Sequence, residues 1–226
     1  MTKLYKLSPS DFAYLWSECK HCYYQKVKNG ISYSSPFPAM FGKINKLLQT
    51  SIMGMNLRDI HPDLPSGIIT IQEGFMKSLP ISGTKCYVSG RFDILTKLDD
   101  GTYAIIDFKI TTPDAEKILK KYSSQLHAYK YALENPEEGQ TPIKISKMGA
   151  VSINPDDMKL VNGKIIFTTT PTWHPIEENM NNFFKLIQDI SKVLSGPLPP
   201  ATATCNLCIY RKSFEPKAKI VDDIPF

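Results

Sequence analysis

The run Ile105-Ile106-Asp107-Phe108-Lys109-Ile110 is apolar except at Asp107 and Lys109. Residues two apart on a strand point to the same face, so a carboxylate and an ammonium stand side by side on a strand otherwise suited to burial. Burying them costs desolvation that a partner or a function must offset. Asp93 supplies the partner. If Asp99-Asp100-Gly101 is a three-residue loop with Gly101 in the left-handed conformation, residue 98 pairs with residue 102 and Asp93 falls opposite Asp107. A two-residue turn would shift the pairing by one and turn Asp93 to the other face. Two carboxylates facing each other at low effective dielectric repel by several kcal/mol, most of which a divalent cation relieves. An all-oxygen site that keeps several waters suits Mg2+, and Mn2+ as well. Lys109 is then placed to hold or deprotonate a water lying against the metal. Metal, activated water and positive charge are the parts that phosphodiester hydrolysis needs.

These residues sit on elements with clear local signals. Asp99-Asp100-Gly101, between the strand patterns Arg91 to Leu98 and Tyr103 to Ile110, is the strongest hairpin signal in the chain. A helix follows, capped by Thr112, Pro113 and Asp114, and runs to about Leu133, where Asn135-Pro136 stops it. Gln125 and Tyr129 are four apart on that helix and share a face that can lie against the hairpin. Upstream, Ser8-Pro9-Ser10-Asp11 opens a helix with Ser8 as N-cap. It carries Phe12, Leu15 and Trp16 inward and delivers Cys19 and Cys22 near its end. A Ser- and Pro-rich loop spans 32 to 38, and Phe41 to Ile52 has helical spacing through Phe41, Ile44, Leu47 and Leu48. Asn56 to Gly67 reads as loop, and strands are expected at Ile68 to Ile71, Cys86 to Val88, Lys144 to Ile153 and Lys164 to Thr170. Trp173-His174-Pro175 opens a last amphipathic helix over Glu177 to Leu194, as packing residues.

Five cysteines make a poor disulfide framework, because the count is odd and a reducing compartment opposes disulfides. Cys19 and Cys22 form one C-x-x-C near the start, and Cys205 and Cys208 form another near the end. The spacing suits four thiolates on tetrahedral zinc that joins the two ends of the chain. Cys86 falls in an apolar strand and reads as core.

The ordered series Gly90-Arg91-Phe92-Asp93, Asp107-Phe108-Lys109 and Gln125-Leu126-His127-Ala128-Tyr129 resembles the G-x-x-D, D/E-x-K and Q-x-x-x-Y motifs of RecB-type nucleases in the PD-(D/E)XK superfamily. The resemblance covers roughly the middle third of the chain. It implies an α/β restriction-endonuclease-like core, a mixed central β-sheet flanked by helices. It also implies that Asp93 and Asp107 bind metal, that Lys109 assists the water, and that Gln125 and Tyr129 organise the site or the nucleic-acid strand. Many RecB-type members carry a histidine ligand in a G-x-x-x-H pattern. The matching stretch here is Gly42-Lys43-Ile44-Asn45-Lys46, with Asn45 or Lys46 instead, so either the site relies on the two carboxylates, the Phe108 carbonyl and water, or the metal binds weakly. Glu18 and Asp11 are the other acids considered for the vacant role. Several similar nucleases, including CRISPR-associated ones, hold a 4Fe-4S cluster on flanking cysteines, usually one before the core and three after. Phe214 stands roughly where a last cysteine would come, and the resemblance favours iron-sulfur where the spacing favours zinc.

The chain has 226 residues, 42% hydrophobic and 22% charged, with a formal charge of +5. That is enough for one sizeable core, and a single domain over 1–226 is expected, with a nuclease core at about 68–170 and cysteine-bearing flanks at 1–55 and 175–226. The mild basic excess is compatible with a phosphate-rich partner without requiring one. No signal peptide opens the sequence and no stretch is apolar for the ~18 residues of a membrane span, so a cytoplasmic protein without membrane contact is expected. Taken alone, Asp107 and Lys109 read as a structural ion pair, and Gln125 and Tyr129 as ordinary helix surface and core. His127 lies on another helix face as an ordinary residue, and Lys117, Lys120 and Lys121 form a solvated basic turn. The set of five favours a metal-dependent DNA exonuclease acting on single strands or duplex ends, in repair, recombination or foreign-DNA processing. The alternative is a nucleic-acid-binding module that keeps the fold and cleaves poorly.

Overall fold

The computed structural model describes residues 3–32 and 39–213. Phe214 and most of the expected loop at 32 to 38 lie outside them. The strands are β1 (Tyr5–Leu7), β2 (Gly67–Gln72), β3 (Phe75–Lys77), β4 (Cys86–Arg91), β5 (Ile94–Leu98), β6 (Tyr103–Ile110), β7 (Ile145–Ile153), β8 (Asp157–Val161), β9 (Lys164–Thr168) and β10 (Thr172–Pro175). The α-helices are α1 (Pro9–Asp11), α2 (Lys20–Asn29), α3 (Ala39–Ser51), α4 (Ala115–Glu134), α5 (Met180–Ser195) and α6 (Asn206–Lys212).

The hairpin between β5 and β6 sets the register of everything that follows. Gly101 adopts φ +82°, a conformation that suits glycine because it lacks a Cβ. The Leu98 N–H donates to the Thr102 carbonyl, and Ile94 pairs with Ile106. The loop is therefore the three-residue form, and the register carries on to set Asp93 across from Asp107. The central sheet runs β10-β7-β6-β5-β2. It is mixed, with β6 and β7 parallel and the other pairs antiparallel. The parallel pair needs a crossover connection, which α4 provides. Its N-cap Asp114 accepts from the Lys117 N–H.

Alternate residues of the sheet serve different layers. Leu95, Ile105 and Met148 join the larger core with Leu126, Tyr129, Ile187 and Leu194 of α4 and α5. Ile94, Ile106, Phe108 and Val151 face the other way, against Ile52, Leu57 and Leu64 beneath α3. Helices thus flank the sheet on both sides. A second, three-stranded sheet, β1-β4-β3, carries Cys86 and Val88 into the larger core. No helix among the described residues is long and apolar enough to cross a membrane.

Several local expectations are corrected. The first helix does not carry the cysteines. It passes into a π-helical turn at Phe12–Trp16, and Cys19 instead caps α2, with Cys22 in that helix's first turn. Trp173-His174-Pro175 is strand, not helix, and pairs antiparallel with β7. There the absence of a side chain at Gly149 makes room for the Trp173 ring. In α3 the expected inward residues Ile44 and Leu47 are exposed; the face turned inward is Phe41, Asn45, Leu48 and Gln49. The stretch after it contains a 3-10 turn at Leu57–Asp59 with a capping box from Asn56. Among the described residues the β8–β9 ribbon pairs only with itself, and it leaves Met158, Leu160, Ile165 and Phe167 exposed on one face.

Candidate active site and a thiol cluster

Strand β5 begins at Ile94, so the Phe108 N–H on β6 has no ladder partner beyond it. The Asp93 carboxylate takes that role, accepting from the Phe108 N–H at 3.0 Å. Asp107 is 1% exposed, with Lys109 Nζ at 2.5 Å from its Oδ2. On α4, Gln125 Nε2 donates to Asp107 Oδ1 at 3.3 Å and to the Tyr129 hydroxyl. The five residues singled out in the sequence are therefore one connected cluster at the ends of β5 and β6, covered by α4. Phe108 turns its ring into the opposite core layer and lines the opening above Lys109.

The charges in this cluster do not balance. Burial pushes Asp93 up to about 7, and the neighbouring Asp107 carboxylate adds to the push, while Lys109, the Phe108 N–H and the Gln49 amide oppose it. Burial raises Asp107 as well, against the pull of Lys109. Lys109 would be driven down by its own burial, but Asp107 and Asp93 outweigh that and raise it. It is therefore a fixed cation at ordinary pH. One ammonium faces two carboxylates, and the remaining negative charge is met by a proton on Asp93 or by a bound cation.

The residue missed in the sequence is Gln49. It is fully buried, neither polar atom of its amide makes a well-formed hydrogen bond, and it lies close enough to Asp93 to lower that carboxyl. Turned toward Asp93 but without a well-formed bond, this buried amide keeps hydrogen-bonding capacity that a bound group could use. Asn45, one turn earlier on the same face, has a buried Oδ1 without a partner, whereas Lys46 points to solvent. Asp11 is taken by Lys26 at 2.6 Å, and Glu18 is exposed. A signal existed: Phe41, Asn45, Leu48 and Ile52 follow helical spacing, and Gln49 lies beside them on the same face. An all-oxygen group of Asp93, Asp107 and the Gln49 amide fits a hard divalent cation.

The second cluster joins the ends of the described chain. Cys19, Cys22, Cys205 and Cys208 place their sulfurs within 4.8 Å of one another and could hold a metal ion. The measured separations are 3.5 Å for Cys22–Cys208, 3.6 Å for Cys19–Cys208 and 3.8 Å for Cys22–Cys205. Burial pushes the Cys19 thiol up, but hydrogen bonds led by the Thr202 hydroxyl bring it down to about 6. Cys86 is core, apart from the other four. His127 is more than surface: its Nε2 accepts from the Asn179 N–H at 2.7 Å, tying α4 to the cap of α5.

The Asp93 shift has a direct consequence for stability. Its folded value lies above its unfolded one, so without metal the folded state keeps a proton that the unfolded state releases between about pH 4 and pH 7. Stability then falls as pH rises through that window. A divalent cation competes with the same proton, so its affinity should tighten as pH rises toward 7 and level off above. Thermal melts from about pH 5.5 to pH 8.5, in chelator and in Mg2+, should show the Mg2+-induced rise in Tm growing with pH. A rise independent of pH would show that Asp93 does not bind the cation.

No family model and no curated protein matches this chain. Among solved structures it is similar to the protein SSO0001, with a TM-score of 0.46 and 13% identity over 94% of this chain and 86% of the other. It is also similar to an alkaline exonuclease, LHK-Exo, from Laribacter hongkongensis, with a TM-score of 0.41 and 15% identity over 84% of each chain. At these values neither likeness carries weight for the reading of function, which rests on the residues of this chain.

Proposed function

We propose that this protein is a divalent-metal-dependent nuclease of the PD-(D/E)XK class, a single domain acting on DNA as an exonuclease. The observation that carries the proposal is Asp93, just before β5, set beside Asp107 of β6, with Lys109 paired to Asp107 and within electrostatic reach of Asp93. Asp93, Asp107, the Phe108 carbonyl and the Gln49 amide oxygen would hold Mg2+ or Mn2+. When bound, such an ion polarises a phosphate oxygen and lowers the pKa of its water.

The chain's own groups do the rest. Lys109, held cationic by the two carboxylates, donates to a water or phosphate oxygen and counters charge building on the phosphate. Its raised pKa suits it to orienting the water more than to taking its proton. Gln125 fixes Asp107 through Oδ1 and leaves Oδ2 toward Lys109, and Tyr129 fixes Gln125 in turn. A second reading, a nucleic-acid-binding module with poor cleavage, draws on the same helix: Asn45 and Lys46 stand in α3 where the G-x-x-x-H pattern carries its imidazole, and weak metal binding would follow.

The thiol spacing supports zinc over a cluster. With Zn–S near about 2.3 Å, the edges of a tetrahedral thiolate site are about 3.8 Å, close to the separations here. A cubane cluster, with an iron at each corner, needs its thiolates further apart.

Three measurements test these readings. End-labelled single- and double-stranded DNA should be degraded with Mg2+ or Mn2+ and not in chelator, and Asp107→Asn or Lys109→Met should lower the rate at least about 100-fold with the melt preserved. Full activity in either pure variant sinks the assignment. Gln49→Leu should act in opposite senses on two readouts. Without metal at pH 6 it should stabilise the fold by about 1 kcal/mol, since an unsatisfied amide is removed, yet the Mg2+-induced rise in Tm should shrink. Finally, purified protein should be colourless with one equivalent of zinc, and Cys22→Ser should lose the metal and melt earlier while Cys86→Ser keeps it. Brown protein absorbing near about 400 nm would assign iron-sulfur instead.

A further inference from the structure

Directly above Lys109 lies a pocket of about 320 Å³ bounded by Tyr14, Phe41, Asn45 and Tyr122 and floored by Phe108–Ile110 of β6. Its walls differ from those of a core gap. Tyr14 is 46% exposed, yet its ring is fixed: its hydroxyl lies 2.9 Å from that of Tyr122, and the two rings meet edge to face. Ammonium groups stand at both rings, Lys121 at 4.2 Å from the Tyr14 centroid and Lys109 at 4.7 Å from that of Tyr122. Asn45 brings a buried acceptor that has no partner among the described residues.

We propose that this pocket is a nucleobase subsite, which takes the base of an unpaired terminal nucleotide while the adjoining phosphate lies at Asp107 and Lys109. The proposal deepens the nuclease reading and rests on it for the position of the phosphate. Three features of the walls select this ligand. Aromatic faces bind any base by stacking, and rings already fixed lose little freedom on binding. Lys109 and Lys121 supply positive charge where the backbone phosphates flank the base. Asn45 carries both a donor and an acceptor, and meets the Watson–Crick edge of a base only when that edge is not paired. Lysines 117, 120 and 121, read from the sequence as a solvated turn, thus divide: Lys117 pairs with Asp114 on the surface, while Lys121 lies over the Tyr14 ring at the edge of the pocket. A single-stranded end enters directly, and a blunt duplex must first fray, at a cost that weakens its binding.

The test uses the full chain with Ca2+ in place of Mg2+ and a short single-stranded oligonucleotide carrying 2-aminopurine at its terminal or at an internal position. The terminal probe should be quenched on binding and the internal probe much less. Tyr14→Ala should abolish the terminal quench and weaken single-strand binding about 5- to 30-fold, while the Mg2+-induced rise in Tm stays as in the wild type. Tyr14→Phe should restore most of the binding. Binding of a blunt duplex should be weaker than that of the single strand in the wild type and should change less in Tyr14→Ala. Equal quenching of both probes, or wild-type affinity in Tyr14→Ala, overturns the subsite, as does a protein that binds no DNA. The two readings separate cleanly. Terminal quenching without any cleavage in Mg2+ or Mn2+ keeps the subsite and removes the nuclease, whereas cleavage without terminal quenching does the reverse.

Discussion

Two carboxylates, Asp107 on β6 and Asp93 in the bend that leads into β5, share a largely buried space, and among the described residues the ammonium that meets them is that of Lys109. Much of the local architecture follows from keeping that arrangement intact. The three-residue turn at Gly101 fixes the register that brings Asp93 to Asp107. The start of β5 at Ile94 leaves the Phe108 N–H free for the Asp93 carboxylate. The α4 crossover, obligatory for a parallel β6–β7 pair, carries Gln125 and Tyr129 over the same spot. On the side of α3, Gln49 brings a buried amide toward Asp93 that makes no well-formed hydrogen bond among the described residues. Unfavourable burial of this kind is tolerated when the rest of the fold over-determines it, here two core layers on opposite faces of one sheet.

What could be read from the sequence was what short-range geometry controls. The turn residues, the cap at Asp114, and the two-residue spacing of Asp107 and Lys109 depend on a handful of neighbours, and the structure has them as read. The four cysteines were also legible, because their pairing at C-x-x-C spacing carries its own geometric meaning. The failures share a cause: each was decided by packing at long range. Ile44 and Leu47 looked inward by hydrophobicity, yet α3 turns its mixed face to the sheet because Asn45 and Gln49 have a polar site to meet there. Trp173 looked like a helix start, yet it lies in a strand because Gly149, far upstream, leaves space for its ring. The break between Trp16 and Cys19 comes from a π-helical turn that no residue type announces.

The same chain exposes two kinds of apolar surface with different chemical surroundings. Beside the carboxylates, aromatic rings are framed by lysines and an unpartnered amide. On the β8–β9 ribbon, Met158, Leu160, Ile165 and Phe167 stand out without such polar company. The contrast shows why exposure alone says little about a ligand, and why the polar groups around an exposed ring say more.

The thiol cluster sets an order of events during synthesis. Cys22 and Cys205 lie 183 residues apart in sequence, so the first pair leaves the ribosome long before its partners exist. At roughly 5–20 residues per second, that interval is on the order of 10 to 40 s. Through it, Cys19 and Cys22 are an incomplete two-thiol site, open to oxidation and to adventitious metals. Any metal that joins the four thiols can therefore close the chain only after its last segment is made.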